Sequence, residues 1–290
     1  MILYNSVTRK GGSVKKGGNK KDSIARQPDL PGSAAAAAPM SPYTDISEVY
    51  DYLLRHVDYE RWYRYIRELI FRYMTDPSCI LEIGCGTGKF GAKFSRDDFT
   101  VYGMDSSLEM LQVARARAFR EFRIFCADVR NFSLSKKMDF IFSVHDTMNY
   151  LITVSDFRNA LRSVRSCMHD ESIFMFDLTT EYNIRRFFDL QEKRYRHKGI
   201  SILWDNRYNA RKKIISSVLT FTYRDGRTSR ETHLQRIYSR DEVLRLLHEE
   251  GFEVADIFSD YSFLPPGEET VMVNYVVRKA HRICGSSEKR

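Results

Sequence analysis

No stretch of this 290-residue chain approaches 18 uninterrupted apolar residues, which removes a membrane-spanning helix from consideration. The opening residues, MILYNSVTRKGG, have neither the long apolar core nor the small-residue cleavage site of a secretory signal, so the expected location is cytoplasmic. Cysteine is scarce. The five thiols, Cys79, Cys85, Cys126, Cys167 and Cys284, are odd in number, widely spaced and without a CxxC pair, which argues against a disulfide framework and a zinc site. A strongly basic fold is missing too. Residues 1–40 hold seven of the 46 Lys/Arg and two of the 38 Asp/Glu, so +5 of the net +8 belongs to that segment. The rest of the chain carries too little excess for a nucleic-acid-binding face unless charges cluster locally.

What is present is an ordinary globular composition, with 43% hydrophobic residues to fill a core. Residues 1–40, including GGSVKKGGNKK and PGSAAAAAPMSP, lack apolar periodicity and read as a disordered basic tail; a start at Met40 would make the first 39 residues dispensable. Over 41–75, Tyr59, Trp62, Ile66, Leu69, Ile70 and Tyr73 recur at helical spacing, with arginines on the other face. Residues 76–185 then alternate. CILEI, TVYGMD, FRIFCAD, MDFIFSV and SIFMFDL are strands; helices open at GKFGAKFSR, behind a Ser106-x-x-Glu109 cap, and around Phe157, Ala160, Leu161 and Val164. Such alternation predicts a parallel sheet with helices on both faces.

The period changes to two over 186–238, where SILWDNRYN, IISSVLTFTYRDG and THLQRIYS read as strands and Asp225-Gly226 as a hairpin turn. This is an antiparallel insertion. In 239–280, Ser239-x-x-Glu242 caps a helix ending at Gly251, and FEVADIFSD and TVMVNYVVRK follow with too short a connection for a crossover, so they pair antiparallel. Residues 281–290 are a second tail.

The chemistry concentrates in LEIGCGTGKFG, residues 81–91, which parses two ways. Gly86-x-Gly88-x-x-Gly91 matches a dinucleotide fingerprint, and Glu82-x-Gly84-x-Gly86-x-Gly88 matches a different nucleoside-binding loop. In either, the glycines let the backbone turn tightly and approach the ligand, and the next helix presents free N–H groups. Asp105, ending the second strand, is placed to chelate ribose hydroxyls in both. Three features separate them. Glu82 sets a carboxylate beside the loop, which suits an ammonium and a sulfonium better than a pyrophosphate. Asp128 in CADV is placed to accept from an adenine amine. The closing antiparallel hairpin is foreign to the usual dinucleotide fold. Tyr208-x-x-x-Lys212 has the spacing of a dehydrogenase pair, but it falls in the polar turn of the insertion and reads as chance.

With these residues in place, the sequence resembles the class I methyltransferases that use S-adenosylmethionine (SAM). LEIGCGTG, VYGMDSS, CADV and MDFIFSVHDTMNYL resemble the four motifs of that family in order, and the likeness spans residues 45–280. It implies an α/β fold: a seven-stranded Rossmann-like methyltransferase sheet with helices on both faces and an antiparallel β insertion after strand 5. It implies SAM as cofactor and S-adenosylhomocysteine as product. No metal is expected, since Asp177 is followed by Leu178 rather than the asparagine of metal-dependent relatives. By the same resemblance Gly84, Gly86 and Gly88 approach the methionine and ribose parts, Asp105 binds the ribose, and Asp128 with the Val129 backbone reads the adenine. Glu82 orders the loop, and Cys85, Ser106 and Met110 complete the expected contacts.

Asp146-x-x-Asn149-Tyr150-Leu151 resembles the fourth motif of small-molecule methyltransferases, including amino-sugar and glycine-type N-methyltransferases, and is no [DN]PPY motif. His145, Asp146 and Tyr150 are therefore the candidate catalytic residues, and Tyr43, Tyr50 and Trp62 resemble that group's aromatic lid. The expected reaction is in-line methyl transfer to a small-molecule acceptor, nitrogen ahead of oxygen, which needs alignment and desolvation more than a conspicuous catalytic group. The insertion, with Trp204, Tyr208 and Tyr223, is expected to cover the acceptor or to join a homodimer. No membrane contact is expected. The alternatives are a nucleic-acid (RNA) or protein acceptor attached through the basic tail, and a catalytically silent SAM-binding module.

Overall fold

The computed structural model describes Tyr43, residues 45–118 and residues 121–280. The two expected tails and the Met40 start lie outside the described residues. A 3-10 turn (Ile46–Glu48) and a short helix α1 (Tyr50–Leu53) precede α2 (Tyr59–Tyr73). The helical spacing predicts one run from 45 to 74; the run is interrupted because Asp58 caps a new helix, its side chain accepting the Arg61 N–H at 3.0 Å. Helix α2 buries Trp62, Tyr63, Tyr65, Ile66, Leu69 and Ile70 and turns Arg61, Arg64, Arg67 and Arg72 to solvent.

The alternating segment follows as β1 (Cys79–Ile83), α3 (Lys89–Phe94), β2 (Thr100–Asp105), α4 (Leu108–Arg117), β3 (Phe122–Cys126), β4 (Met138–Ser143), α5 (Val154–Ser166) and β5 (Met168–Thr179). The cap of α4 is Ser107, one residue later than the sequence suggests. Asp105 takes the Ser107 N–H at 2.9 Å, and Ser107 Oγ in turn accepts from the Met110 N–H at 3.1 Å. A three-residue helix α6 (Glu181–Asn183) and a π turn (Ile184–Phe188) lead into β6 (Glu192–His197), β7 (Ile200–Asn209), β8 (Ile214–Thr222) and β9 (Thr228–Arg236). Helix α7 (Arg240–Glu249), capped by Ser239, and strands β10 (Phe252–Ser259) and β11 (Met272–Lys279) close the fold.

The main sheet has seven strands in the order β10-β11-β5-β4-β1-β2-β3. Strands β1 to β5 are mutually parallel, and β11 runs antiparallel to both β10 and β5. Since β1 pairs with both β2 and β4, the chain winds outward on one side and then returns to wind on the other. A crevice opens at that reversal, outside the carboxyl ends of β1 and β4. All five residues of β1 are buried, as expected of a central parallel strand.

The insertion is a separate four-stranded antiparallel sheet in the order β6-β7-β8-β9. Strand β6 is an addition to the three expected strands. Its sequence, EKRYRH, has a half-buried face made of Lys193, Tyr195 and His197, so hydrophobic alternation does not mark it. Ile202 and Trp204 from β7 and Ile215, Leu219 and Phe221 from β8 join one apolar cluster with Ile46, Val49, Leu53 and Leu54 of the N-terminal segment.

Candidate active site

The loop after β1 is built by three glycines with positive φ: Gly84 at +70°, Gly86 at +53° and Gly88 at +76°. The Gly84 and Cys85 N–H groups both donate to the Met104 carbonyl, at 2.8 and 2.9 Å, which ties the loop to β2. A Cβ at Gly84 would lie 2.5 Å from the Thr147 side chain, so glycine is required where this loop meets the segment after β4. Behind the loop, the buried Glu82 carboxylate accepts the Gly91 N–H at 2.9 Å, in the first turn of α3. Burial pushes this carboxyl well above the usual range, and the Gly91 N–H pulls it partly back. At Gly91 a Cβ would stand 2.2 Å from the Phe122 ring, so packing explains the residue that completes the dinucleotide pattern.

A cavity of about 570 Å³ lies at the crevice. Gly84, Gly86, Asp105, Ser106, Met110, Asp128, Val129, Tyr50, His145 and Tyr150, drawn from four loops and the N-terminal segment, all line it. Asp105 is fixed by the Gly86 and Ser107 N–H groups at 2.8 and 2.9 Å; burial raises its carboxyl, against the pull of these donors. Asp128 is more open and pairs with Arg130, whose Nε reaches both carboxylate oxygens at 3.0 Å and holds the carboxyl below its ordinary value.

At the opposite end, His145 and Asp146 both adopt left-handed backbone, with φ of 63° and 53°. Asp177, at the end of β5, accepts their N–H groups at 2.8 and 2.7 Å and also receives the Tyr261 hydroxyl, so one buried carboxylate holds the turn. Burial pushes Asp177 up to about 7. The His145 imidazole is pushed down to about 3, first by burial and then by Lys89, and is neutral; its Nε2 has no hydrogen-bond partner. Asp146 accepts from Gln235. The Tyr43 hydroxyl donates to Tyr150 Oη at 2.7 Å, Tyr150 Oη lies 3.0 Å from His233 Nδ1, and His233 Nε2 lies 3.3 Å from Glu231 Oε2.

Two carboxylates of different environment, set around a glycine loop at a strand-order reversal, fit a ligand with a ribose and an adenine at one end and a short zwitterion at the other. A family model described as a methyltransferase domain matches residues 80–171, from β1 into β5. A Geobacillus sp. (strain WCH70) protein, provisionally named a methyltransferase, is 26% identical over 245 residues, covering 82% of this chain and 99% of its own. The chain belongs to the class I SAM-dependent methyltransferases. A SAM-dependent methyltransferase from Clostridium acetobutylicum ATCC 824 superposes with a TM-score of 0.72 at 24% identity, over 82% of this chain and 99% of that one. The dTDP-3-amino-3,4,6-trideoxy-alpha-D-glucopyranose N,N-dimethyltransferase of Streptomyces venezuelae is 30% identical over 121 residues, 41% of this chain and 51% of that protein.

Not every expected site residue of this methyltransferase reaches the cavity. Trp62 does not. It is buried, stacked on Tyr261 at 3.8 Å and 13°, with its ring 4.6 Å from His145, so it supports the site from behind. Glu82, Cys85, Gly88 and Asp146 also sit outside the cavity wall. Tyr43 and Tyr50 do line it, with ring centroids 6.0 Å apart. Of the aromatic residues expected to cover the acceptor, Trp204 packs inside the insertion sheet and donates to Asn206 Oδ1 at 2.9 Å, and the Tyr223 hydroxyl donates to Asp45 at 2.9 Å. Tyr208 and Lys212 sit at the β7–β8 turn, away from the cavity.

Sequence reasoning missed the polar row on β9. Glu231, His233 and Gln235 are 0%, 0% and 1% exposed, while Leu234 between them is 40% exposed. Hydrophobic alternation alone would turn the strand the other way. That inversion, three polar residues inward and the leucine outward, is itself the signal.

Proposed function

We propose that this methyltransferase transfers the methyl group to an amine nitrogen of a small-molecule acceptor. The observation that carries the proposal is the closure of the acceptor end. Tyr43 from the N-terminal segment, Tyr150 from the turn after β4 and the inward row of β9 meet there through hydrogen bonds. A chamber lined at this end by Tyr43, Tyr50, His145 and Tyr150 suits a small molecule. The amino-sugar N,N-dimethyltransferase relative supports nitrogen as the acceptor atom.

SAM supplies an electrophilic methyl group on a sulfonium. The chain's own contribution is alignment and desolvation. In this reading the backbone of Gly84 and Gly86 holds the methionine part, Asp105 with Ser106 the ribose, and Asp128 with Val129 the adenine, while Met110 and Tyr50 flank the ligand. Glu82, Cys85 and Gly88 act from behind by shaping the loop. The neutral His145 lines the chamber, and Asp146 fixes the turn through Gln235. Residues 41–75 serve as lid, 76–185 as cofactor-binding core and 186–238 as acceptor cover, with 239–280 completing the core.

The test is incubation of the full chain with SAM and a panel of dTDP-amino sugars beside their hydroxyl counterparts, followed by mass spectrometry. The expected result is S-adenosylhomocysteine release with methyl gain on the amino sugars alone. Methylation confined to hydroxyl sugars, or to RNA added in parallel, would overturn it.

A further inference from the structure

We propose that His233, held by Glu231, is a positioning residue that receives the acceptor's proton through Tyr150. The proposal rests on the amine reading above and goes beyond it. Both side chains are fully buried, in a sheet whose other inward positions are largely apolar. Taking two ionisable groups out of water is unfavourable unless they are paired and hydrogen-bonded, and well-packed apolar residues would serve the sheet at least as well. Glu231 is accounted for in part by the N-terminal segment it fastens, but that role does not call for a buried histidine beside it.

Hydrogen-bond direction supplies the positive argument. Glu231 accepts the backbone N–H groups of Tyr43 and Ile46, each at 3.1 Å, and that of Asp45, so it acts as a carboxylate acceptor. His233 Nε2, 3.3 Å from Glu231 Oε2, must then carry the ring proton, which leaves Nδ1 bare to accept the Tyr150 hydroxyl at 3.0 Å. Tyr150 Oη in turn accepts from Tyr43, and both tyrosines line the cavity. The chain of bonds thus runs one way, from the chamber to a buried carboxylate.

The groups facing His233 are few. Glu231 lies on its own strand, Tyr43 and Tyr150 pack on it from the N-terminal segment and the turn, and its β8 neighbour Ser217 carries no charge. Asp146 acts one step further away, on Tyr150. Burial lowers the imidazole and Glu231 raises it, with burial the larger cause, so the ring waits in its neutral form.

The step balances. The acceptor ammonium gives a proton to Tyr150 Oη as the Tyr150 proton moves to His233 Nδ1, forming an imidazolium against the Glu231 carboxylate. The freed nitrogen lone pair then forms the N–CH3 bond as the S–CH3 bond breaks, its electron pair staying on sulfur. The imidazolium releases its proton to water when the product leaves.

Two readouts test this. In the S-adenosylhomocysteine complex, NMR of 15N-labelled histidine should find His233 neutral with the proton on Nε2, and Y150F should shift its Nδ1 resonance. A proton on Nδ1, or a resonance unmoved by Y150F, overturns the proposal. With a methylated dTDP-amino sugar, H233Q should slow turnover about 100-fold near neutral pH, the scale of a lost acid–base group, and recover as rising pH frees the amine. Y150F, which keeps the ring, should show the same recovery and serves if H233Q does not fold. A defect that is constant with pH makes the role structural and overturns this proposal alone. Methylation of no amine overturns the acceptor reading as well.

Discussion

Asp105, Gly91 and His145 each carry a measurable consequence at a single position. Asp105 is held on the cavity floor by two backbone donors, ready to face a ligand rather than a neighbouring cation. Asp105→Ala should weaken SAM binding by about 1–3 kcal/mol, the cost of hydrogen bonds to a charged group, as measured by calorimetry. Gly91→Ala puts a methyl group into the Phe122 ring, and overpacking of this kind should lower stability by about 1–3 kcal/mol in urea unfolding. His145 carries a pH prediction. Its folded pKa, about 3, lies below the ordinary 6.5, so the unfolded chain binds more protons between those values. Stability from this residue is complete above about 6.5 and is lost as pH falls toward 3. His145→Gln should flatten that part of the acid limb in thermal unfolding.

At the scale of elements, legibility in the sequence followed burial. Strands β1, β2, β4 and β5 are central and parallel, so both of their faces contact protein and their letters form apolar runs that a reader finds. Helices α2 and α7 announced themselves through spacing and, for α7, the Ser239 cap. Strand β6 stayed hidden because long charged and aromatic side chains form both of its faces, and the polar row of β9 stayed hidden because its inward residues are polar and its one leucine faces out. The phase has a direct consequence. Leu234→Ser should change stability by less than about 0.5 kcal/mol, as for an ordinary surface site. Phe221→Ala, on the buried face of β8, should cost about 3–5 kcal/mol in the same denaturation series. The glycine loop, Asp105, Asp128 and Tyr150 were legible because their chemistry is local to motifs. Glu231 and His233 were not, because they come next to Tyr150 only through the way one sheet lies against the other.

Across the whole molecule, the seven-stranded sheet supplies the crevice, and β9 of the four-stranded sheet is bonded to the turn after β4 at its rim. The segment from Tyr43 to Leu54 joins them. Glu231 on β9 accepts its first N–H groups, and Asp51 further along bonds Thr87 Oγ1 at 2.9 Å and pairs with Lys89 at 3.4 Å and with Arg117. The segment is thus fastened to the four-stranded sheet at one end and to the glycine loop at the other. Thr147 packed against Gly84, and Asp177 fixing the His145–Asp146 turn, tie the segment after β4 to the glycine loop and to β5. Gly91, which would complete a dinucleotide fingerprint, is set by its packing on Phe122, and the crevice takes SAM and its product. Calorimetric titration of the full chain with S-adenosylhomocysteine, beside NAD and NADP, tests it most directly. One saturable site per chain for S-adenosylhomocysteine and no heat from either dinucleotide are expected; saturable binding of a dinucleotide with none for S-adenosylhomocysteine would overturn the assignment.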